Sequence, residues 1–387
     1  MIDTTLIIFC GILLTASIIS PFLSPFLRLK KEEDETKDDD TVFPPLSILI
    51  TPHKQGLELE KNVPLILAQD YPAPIEIIIV VEKGDSESED ALKRLSADER
   101  VYGSFVPESS RYMSIKKLAV TLGVKASHYE WIMMTDASSA PAGNQWLKTM
   151  ARHCSDNSDI TIGYSNYCTS SPDFYRFERL HTACYLYREA DHGTAYRTNG
   201  TNLLFRKSLF TNGDGYRGNL DICRGEFDFL VNKYAEKGRT VVELSPSAWI
   251  IEDEPTKQIL REKDIYYLHT RKFLKRKFSH RLLPMLDLTA SLLTCGMMVA
   301  ALLFAGINIL LQGCNSENII LETTVFIAFF INSILRSMIA KPVIRFFETG
   351  LPLWCVSFYE SRLFWHRVYT ILRYWKSNKT DYTTHKL

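Results

Sequence analysis

Twenty-two consecutive residues, Leu6 to Leu27, carry no charge, and a helix of that length spans about 33 Å, enough to cross the hydrocarbon of a bilayer. A chain with such a segment must either keep it in a membrane or shed it. A cleaved signal peptide is the competing reading, but the run outlasts an ordinary signal core of about 7–15 residues and no basic stretch precedes it. Residues 1–28 are therefore expected to be an N-terminal transmembrane anchor. Leu288 to Leu311 is equally free of charge, and its Thr289, Ser291, Thr294 and Asn308 can be satisfied within a helix or by a neighbour, so a span is expected over 285–312. A third span is expected over 319–340, with Glu322 and Arg336 near its two ends, where long side chains can reach the headgroups. In 350–376 the apolar Phe364, Val368, Ile371 and Trp375 recur opposite Arg362, Arg367 and Arg373, the pattern of a helix lying in the interface.

The cations set an orientation. Arg28, Lys30 and Lys31 follow the first run, and Arg271-Lys272-Phe273-Leu274-Lys275-Arg276-Lys277 precedes the second, whereas Gln312 to Asn318 holds no Lys or Arg. Cytoplasmic flanks are the ones enriched in Lys and Arg, so the large middle region is expected in the cytoplasm of an integral protein of an inner or plasma membrane. Residues 29–42 read as an acidic linker and 377–387 as a tail. Forty-five basic residues balance forty-five acidic ones, which argues against a nucleic-acid partner. The eight cysteines show neither a CxxC pair nor zinc spacing and read as reduced thiols. Asn199-Gly200-Thr201 matches a glycosylation sequon that a cytoplasmic domain would not meet.

Between residues 43 and 280 short apolar runs alternate with helical stretches, the signature of a mostly parallel sheet with crossover helices. Strands are expected at Leu46–Ile50, Ile75–Val81, Val101–Val106 and Trp131–Thr135, with helices over 57–69 and 114–126. Further on, a helix over 174–189, an apolar run at Leu203–Phe205, a helix from about Glu226 and a strand at Thr240–Leu244 complete the reading. Candidate site residues follow the strand ends, where ligands bind open α/β sheets.

The order SILITPHKQ, EIIIVVEKGDSES, SIKKLAVTLGV, WIMMTDASSAP, NGTNLLFRKSLF, RGEFDFLVNKYAEKG and YYLHTRKFLKRK, the last before a membrane run, resembles membrane-bound family 2 glycosyltransferases. The resemblance covers about residues 1 to 375 and implies a GT-A fold, an inverting transfer from a nucleotide-sugar donor, and a divalent cation, Mg or Mn.

By that resemblance Pro52 and His53 lie under the donor nucleotide, and Glu82 takes the place of an aspartate contacting the base or ribose. A carboxylate can accept from a uracil N–H or a ribose hydroxyl, although Glu82 also suits a plain polar turn. Lys116 or Lys117 matches a lysine near the nucleotide, or belongs to a solvated helix face. Asp136 is the metal candidate: a carboxylate at a strand's end, followed by small residues, can hold a cation bridging two phosphates, or else cap a turn. The family pattern there is Asp-x-Asp, and this chain has Asp136-Ala137-Ser138. The general base comes from an acidic motif that reads Gly225-Glu226-Phe227-Asp228 here, with Phe227 in the usual base position, leaving Asp228 or Glu226 to serve. Either acid also suits the first turn of a helix on dipole grounds alone. Of the family's Gln-x-x-Arg motif only Arg271 remains, in Leu268-His269-Thr270-Arg271, placed to meet phosphate or the membrane surface.

The sequence thus points to transfer of a sugar, with a UDP-sugar among the donors, to a lipid-linked or membrane-proximal glycan acceptor. The departures at Ser138, Phe227 and Leu268 motivate the rival reading, a non-catalytic membrane protein that keeps the fold as a partner or scaffold. A processive polysaccharide synthase is a third reading, with little protein to line a pore.

Overall fold

The computed structural model describes residues 4–28, 42–107 and 114–377. Most of the expected acidic linker, Lys30, Lys31 and the tail beyond Ser377 lie outside them. In chain order the elements begin with α1 (Thr4–Ile19), β1 (Leu46–Ile50), α2 (Gly56–Leu67), β2 (Ile75–Glu82), α3 (Ser86–Leu95), β3 (Val101–Val106), α4 (Ile115–Ala126) and β4 (Trp131–Thr135). Then come β5 (Ser139–Pro141), α5 (Trp146–Ala151), β6 (Ile160–Gly163), β7 (Ser165–Tyr167), α6 (Asp173–His192), β8 (Leu203–Arg206), α7 (Lys207–Asn212) and α8 (Glu226–Tyr234). The last are β9 (Thr240–Glu243), β10 (Ile250–Glu252), α9 (Lys257–Thr270), α10 (Ser279–Gln312), α11 (Ser316–Phe346) and α12 (Val356–Lys376).

The chain divides into two compact units. One comprises Lys30–Pro172, Leu186–Lys275 and Thr370–Leu387. Its main sheet has seven strands in the order β3-β2-β1-β4-β8-β6-β9. β1 lies inside the sheet and is parallel to both neighbours, with Ile48 beside Ile77 on one side and Met133 on the other. All five residues of β1 and of β4 are buried, as expected of β-branched and apolar runs covered on both faces. β8 runs antiparallel to β4 and β6, a direction that the apolar run at Leu203–Phe205 does not encode. The buried Asn202, at the start of β8, accepts from Trp146 Nε1 at 3.1 Å and donates to the carbonyls of Tyr164 (3.0 Å) and Ala248 (2.8 Å), cross-linking segments far apart in sequence. A small second sheet, β5-β10-β7, begins three residues after Asp136.

Because the chain runs from β1 outward to β2 and β3, then returns to place β4 on the other side of β1, the strand order reverses at β1. A crevice for ligands is expected at the carboxyl ends of β1 and β4, and Pro52, His53 and Asp136 sit there. Local capping fixes these loops. Asp85 accepts from Ser88 N at the start of α3 and from Lys54 N at 2.6 Å, and Ser114 caps α4.

The other unit comprises Met1–Leu29, Asp173–Tyr185 and Arg276–Tyr369. Among the described residues three helices are long and apolar enough to cross a membrane, over Thr4–Leu23, Ser279–Leu311 and Ser316–Phe346. Leu13, Met298, Ala301, Ala305, Leu321, Val325 and Ala328 form their shared apolar cluster. One expectation needs correction. Arg336 does not reach outward from its helix end; it is 3% exposed, ion-paired with Glu360 of α12, and donates to Asn332 Oδ1 at 2.9 Å and Ser20 Oγ at 3.3 Å. An acid from a later helix supplies a counter-charge beside Arg336 itself, and this removes the reason to snorkel. Along α12 the exposed large apolar residues are Phe358, Trp365, Tyr369, Leu372 and Trp375, while Phe364, Val368 and Ile371 of the expected stripe are half-buried. The eight cysteines are free thiols.

Candidate active site

The first group of site residues is built on the ends of β1, β2 and β4. Thr51, Pro52, His53, Glu82, Lys116 and Arg224 line a small pocket there, together with Val80, Val106, Ile115 and Ala119. His53 Nδ1 lies 3.2 Å from Glu82 Oε2. Burial holds the His53 pKa below its ordinary value despite the pull of Glu82, with Arg224 and Lys116 adding to the depression, so the ring is neutral and hydrogen-bonds Glu82.

Lys116 and Lys117 are neighbours with different partners. Lys116 donates to the carbonyl of Thr51 and stands 3.4 Å from Asp136 Oδ2. Lys117 points the other way, wholly buried, donating to the carbonyls of Asn219 (2.6 Å) and Ile222 (2.7 Å) with its ammonium 4.2 Å above the Phe229 ring. Burial lowers its pKa to about 8, against the opposing pull of Glu226 and Asp221. Of the two lysines offered by the sequence, Lys116 faces the pocket and Lys117 fastens the loop before α8.

Asp136 is fully engaged by protein donors. Oδ1 accepts from Gln55 Nε2 (3.1 Å), Ser138 N (3.2 Å) and Ser138 Oγ (3.1 Å), and Oδ2 faces the Lys116 ammonium. Burial raises its pKa, but Lys116, the Ser138 N–H and Gln55 outweigh that and hold it at about 2. A hard divalent cation needs several oxygen ligands with free lone pairs. Here one carboxylate is committed to four donor contacts, an ammonium occupies its second oxygen, and the hydroxyl in the second ligand position is itself donating to the first. The arrangement does not fit a cation.

The second group is the turn into α8. Gly225 has φ +92°, a left-handed conformation, and a Cβ there would meet Thr270 Cγ2 at 2.5 Å, so the turn requires glycine both by backbone and by space. Glu226 is buried and its Oε2 has no hydrogen-bond partner among the described residues. Asp228 accepts from Thr198 N at 3.3 Å and lies 3.9 Å from Arg197 Nη1. Burial raises its pKa, and Arg197 and the Thr198 N–H only partly offset this. Phe227 occupies the intervening position, between two acids that both sit in the first turn of α8.

α9 lies along this turn. Tyr267 stacks under Arg197 at 3.9 Å from ring centroid to guanidinium, and Tyr266 lies 5.2 Å from the guanidinium of Arg224. Lys263 pairs with the buried Glu252 at 3.2 Å, which also accepts from Thr201 Oγ1 at 3.1 Å. Arg271 caps the end of α9 with its N–H on the Tyr267 carbonyl, and Leu268 packs with Ile265 and Tyr374. Sequence reasoning overlooked Gln55, Arg197, Arg224, Glu252 and Lys263. Only Arg224 had a local signal, its place directly before Gly225-Glu226; the others are brought in by long-range folding. The structure thus brings Pro52, His53, Glu82 and Lys116 to one pocket with Arg224, places Asp136 beside Lys116, and sets Glu226 and Asp228 on the turn that Arg224 begins.

No family model matches the chain, and no curated protein does either. Among solved structures the chain is similar to a mannosyltransferase from Pyrobaculum calidifontis in complex with GDP-Man and Mn2+, with a TM-score of 0.53, 14% identity, and coverage of 93% of this chain and 99% of that one. At that identity what the two share is the fold.

Proposed function

We propose that the chain is an inverting glycosyltransferase of the GT-A type, transferring a sugar from a nucleoside diphosphate donor to a lipid-linked or membrane-proximal glycan acceptor. The observation that carries this reading is the pocket at the carboxyl ends of β1 and β2, where His53, Glu82 and Lys116 meet Arg224, the residue from which the acidic turn of α8 starts. A neutral imidazole and a carboxylate suit the base and ribose, while the two cations suit a diphosphate. The solved mannosyltransferase of the same fold holds a nucleotide-sugar, which supports the donor class.

In the proposed reaction the acceptor hydroxyl oxygen bonds to the anomeric carbon as the bond from that carbon to the phosphate oxygen breaks. The electron pair stays on the diphosphate, and the acceptor's proton passes to Asp228. A raised carboxyl pKa suits that step, since a base is most effective with its pKa near the working pH. The three long apolar helices support membrane anchoring, and the basic flank Arg271–Lys277 supports a cytoplasmic placement of the site, on the side where Lys and Arg accumulate.

The test is direct. Full-length protein in detergent, titrated calorimetrically with UDP and GDP and assayed for hydrolysis of UDP- and GDP-sugars, should bind at least one nucleotide and turn over its sugar; silence in both assays sinks the proposal. The second reading, a non-catalytic partner that keeps the fold, is favoured by Phe227 at the usual base position. Nucleotide binding without any turnover would select it.

A further inference from the structure

We propose that this site meets the charge of the departing diphosphate with fixed protein cations, Arg224 and Lys116, and needs no divalent metal. The inference rests on the donor-site reading above and deepens it. Two observations carry it. At Asp136 the protein's own groups fill the place of a metal: the Lys116 ammonium lies 3.4 Å from Oδ2, while Gln55 and Ser138 hold Oδ1. A cation there would have to displace the Lys116 ammonium from Asp136 and would find a donating serine hydroxyl as its next ligand. Arg224 lines the same pocket, and its buried Nε has no hydrogen-bond partner among the described residues. A buried guanidinium N–H left unmade is costly, and an anionic oxygen is the group that satisfies it best.

As the bond between the anomeric carbon and the phosphate oxygen breaks, the additional negative charge develops on the β-phosphate. Arg224 and Lys116 both present positive charge to that side of the pocket, the charge of Lys116 being shared with Asp136 at 3.4 Å. An arginine also binds phosphate through a planar fork of N–H donors, which fixes its orientation as a metal's coordination sphere otherwise would. The serine at position 138 then has a role of its own, helping to hold Asp136 toward Lys116.

The experiment compares nucleotide binding with and without metal in the full-length protein. UDP and GDP are titrated in EDTA and again in Mn2+. The affinities are expected to agree within about threefold, and Arg224→Gln should weaken the diphosphate in EDTA by at least about tenfold while leaving uridine or guanosine binding near wild type. Arg224→Lys should recover part of the loss. Because the Arg224 variants alter a partly buried side chain, a second measurement avoids them: Mn2+ titrated alone and followed by electron paramagnetic resonance should show no tight site in the wild-type chain and a new one in Ser138→Asp. Nucleotide binding that appears only with Mn2+, or a tight Mn2+ site in the wild-type chain, overturns metal independence while the donor-site reading stands. Absence of nucleotide binding in both buffers overturns both.

Discussion

Asp136 and Asp228 are the same residue type with nearly the same side-chain exposure, 19% and 18%, yet their acidities move in opposite directions. Burial raises both. At Asp136 a lysine and three hydrogen bonds overcome it; at Asp228 one backbone N–H and an arginine at 3.9 Å do not. Two carboxylates driven apart by their surroundings are the arrangement by which a protein assigns one to hold charge and the other to move a proton. In the proposed reaction Asp136 anchors the donor edge, and Asp228 is left able to accept a proton.

The strongest way to break this contrast is Asp228→Asn. Transfer should fall by about 10²–10⁴-fold, the usual contribution of a general base, with nucleotide affinity unchanged in calorimetry. Full activity would move the base elsewhere, Glu226 being the next acid on the same turn. At the other carboxylate, Asp136→Asn should destabilise the fold by about 3 kcal/mol in thermal or denaturant unfolding, because Lys116 would be left buried beside a neutral partner. The same substitution should weaken nucleotide binding.

A smaller effect is expected at the turn itself. Gly225→Ala forces a side chain into a left-handed backbone, costing about 1–2 kcal/mol before the clash with Thr270 is counted, and should show as a lower melting temperature together with reduced transfer. Retention of both would mean that the acidic turn tolerates displacement.

The smallest effect sharpens the contrast by pH. Asp136 is held at about 2, so its stabilising contribution is present above the ordinary carboxylate pKa and is lost as pH falls from there toward 2. Asp228 has the opposite sign. Folding favours its protonated form, so its contribution is present below the ordinary carboxylate pKa and is lost as pH rises through the folded value. The acid limb of the rate profile should therefore lie above the range of an ordinary aspartate, and Arg197→Gln should push it higher still by removing a nearby positive charge. A limb that stays fixed in that variant would show that Asp228 is not the titrating group.

How much of this could be read from the residues depended on how local each cause was. β1, β2 and β4 declare themselves because a strand covered on both faces must be apolar along most of its length, and Asp136 follows directly from where β4 stops. The reversed direction of β8 was not legible, since Leu203–Phe205 would be equally apolar either way round; it is fixed by pairing with β4 and β6 and by the cross-links from Asn202. The two adjacent lysines could not be told apart in one dimension, because a helix turns successive side chains by about 100° and only the position of the 219–222 loop decides which one it captures. Glu252, Lys263 and Thr201 come together from three separate segments and leave no common mark in the text of the chain.

The pairing of Arg336 with Glu360 has a consequence for biogenesis. The two residues are 24 positions apart, so during synthesis α11 is complete before its neutralising acid has been made. An arginine carried into hydrocarbon by itself costs about 2.5–3.5 kcal/mol on insertion scales, enough to spoil an otherwise adequate segment. If α11 crosses the bilayer as proposed, its commitment to the lipid must wait for α12, and nascent chains truncated before Glu360 should integrate their third span poorly while chains extended past it integrate it well.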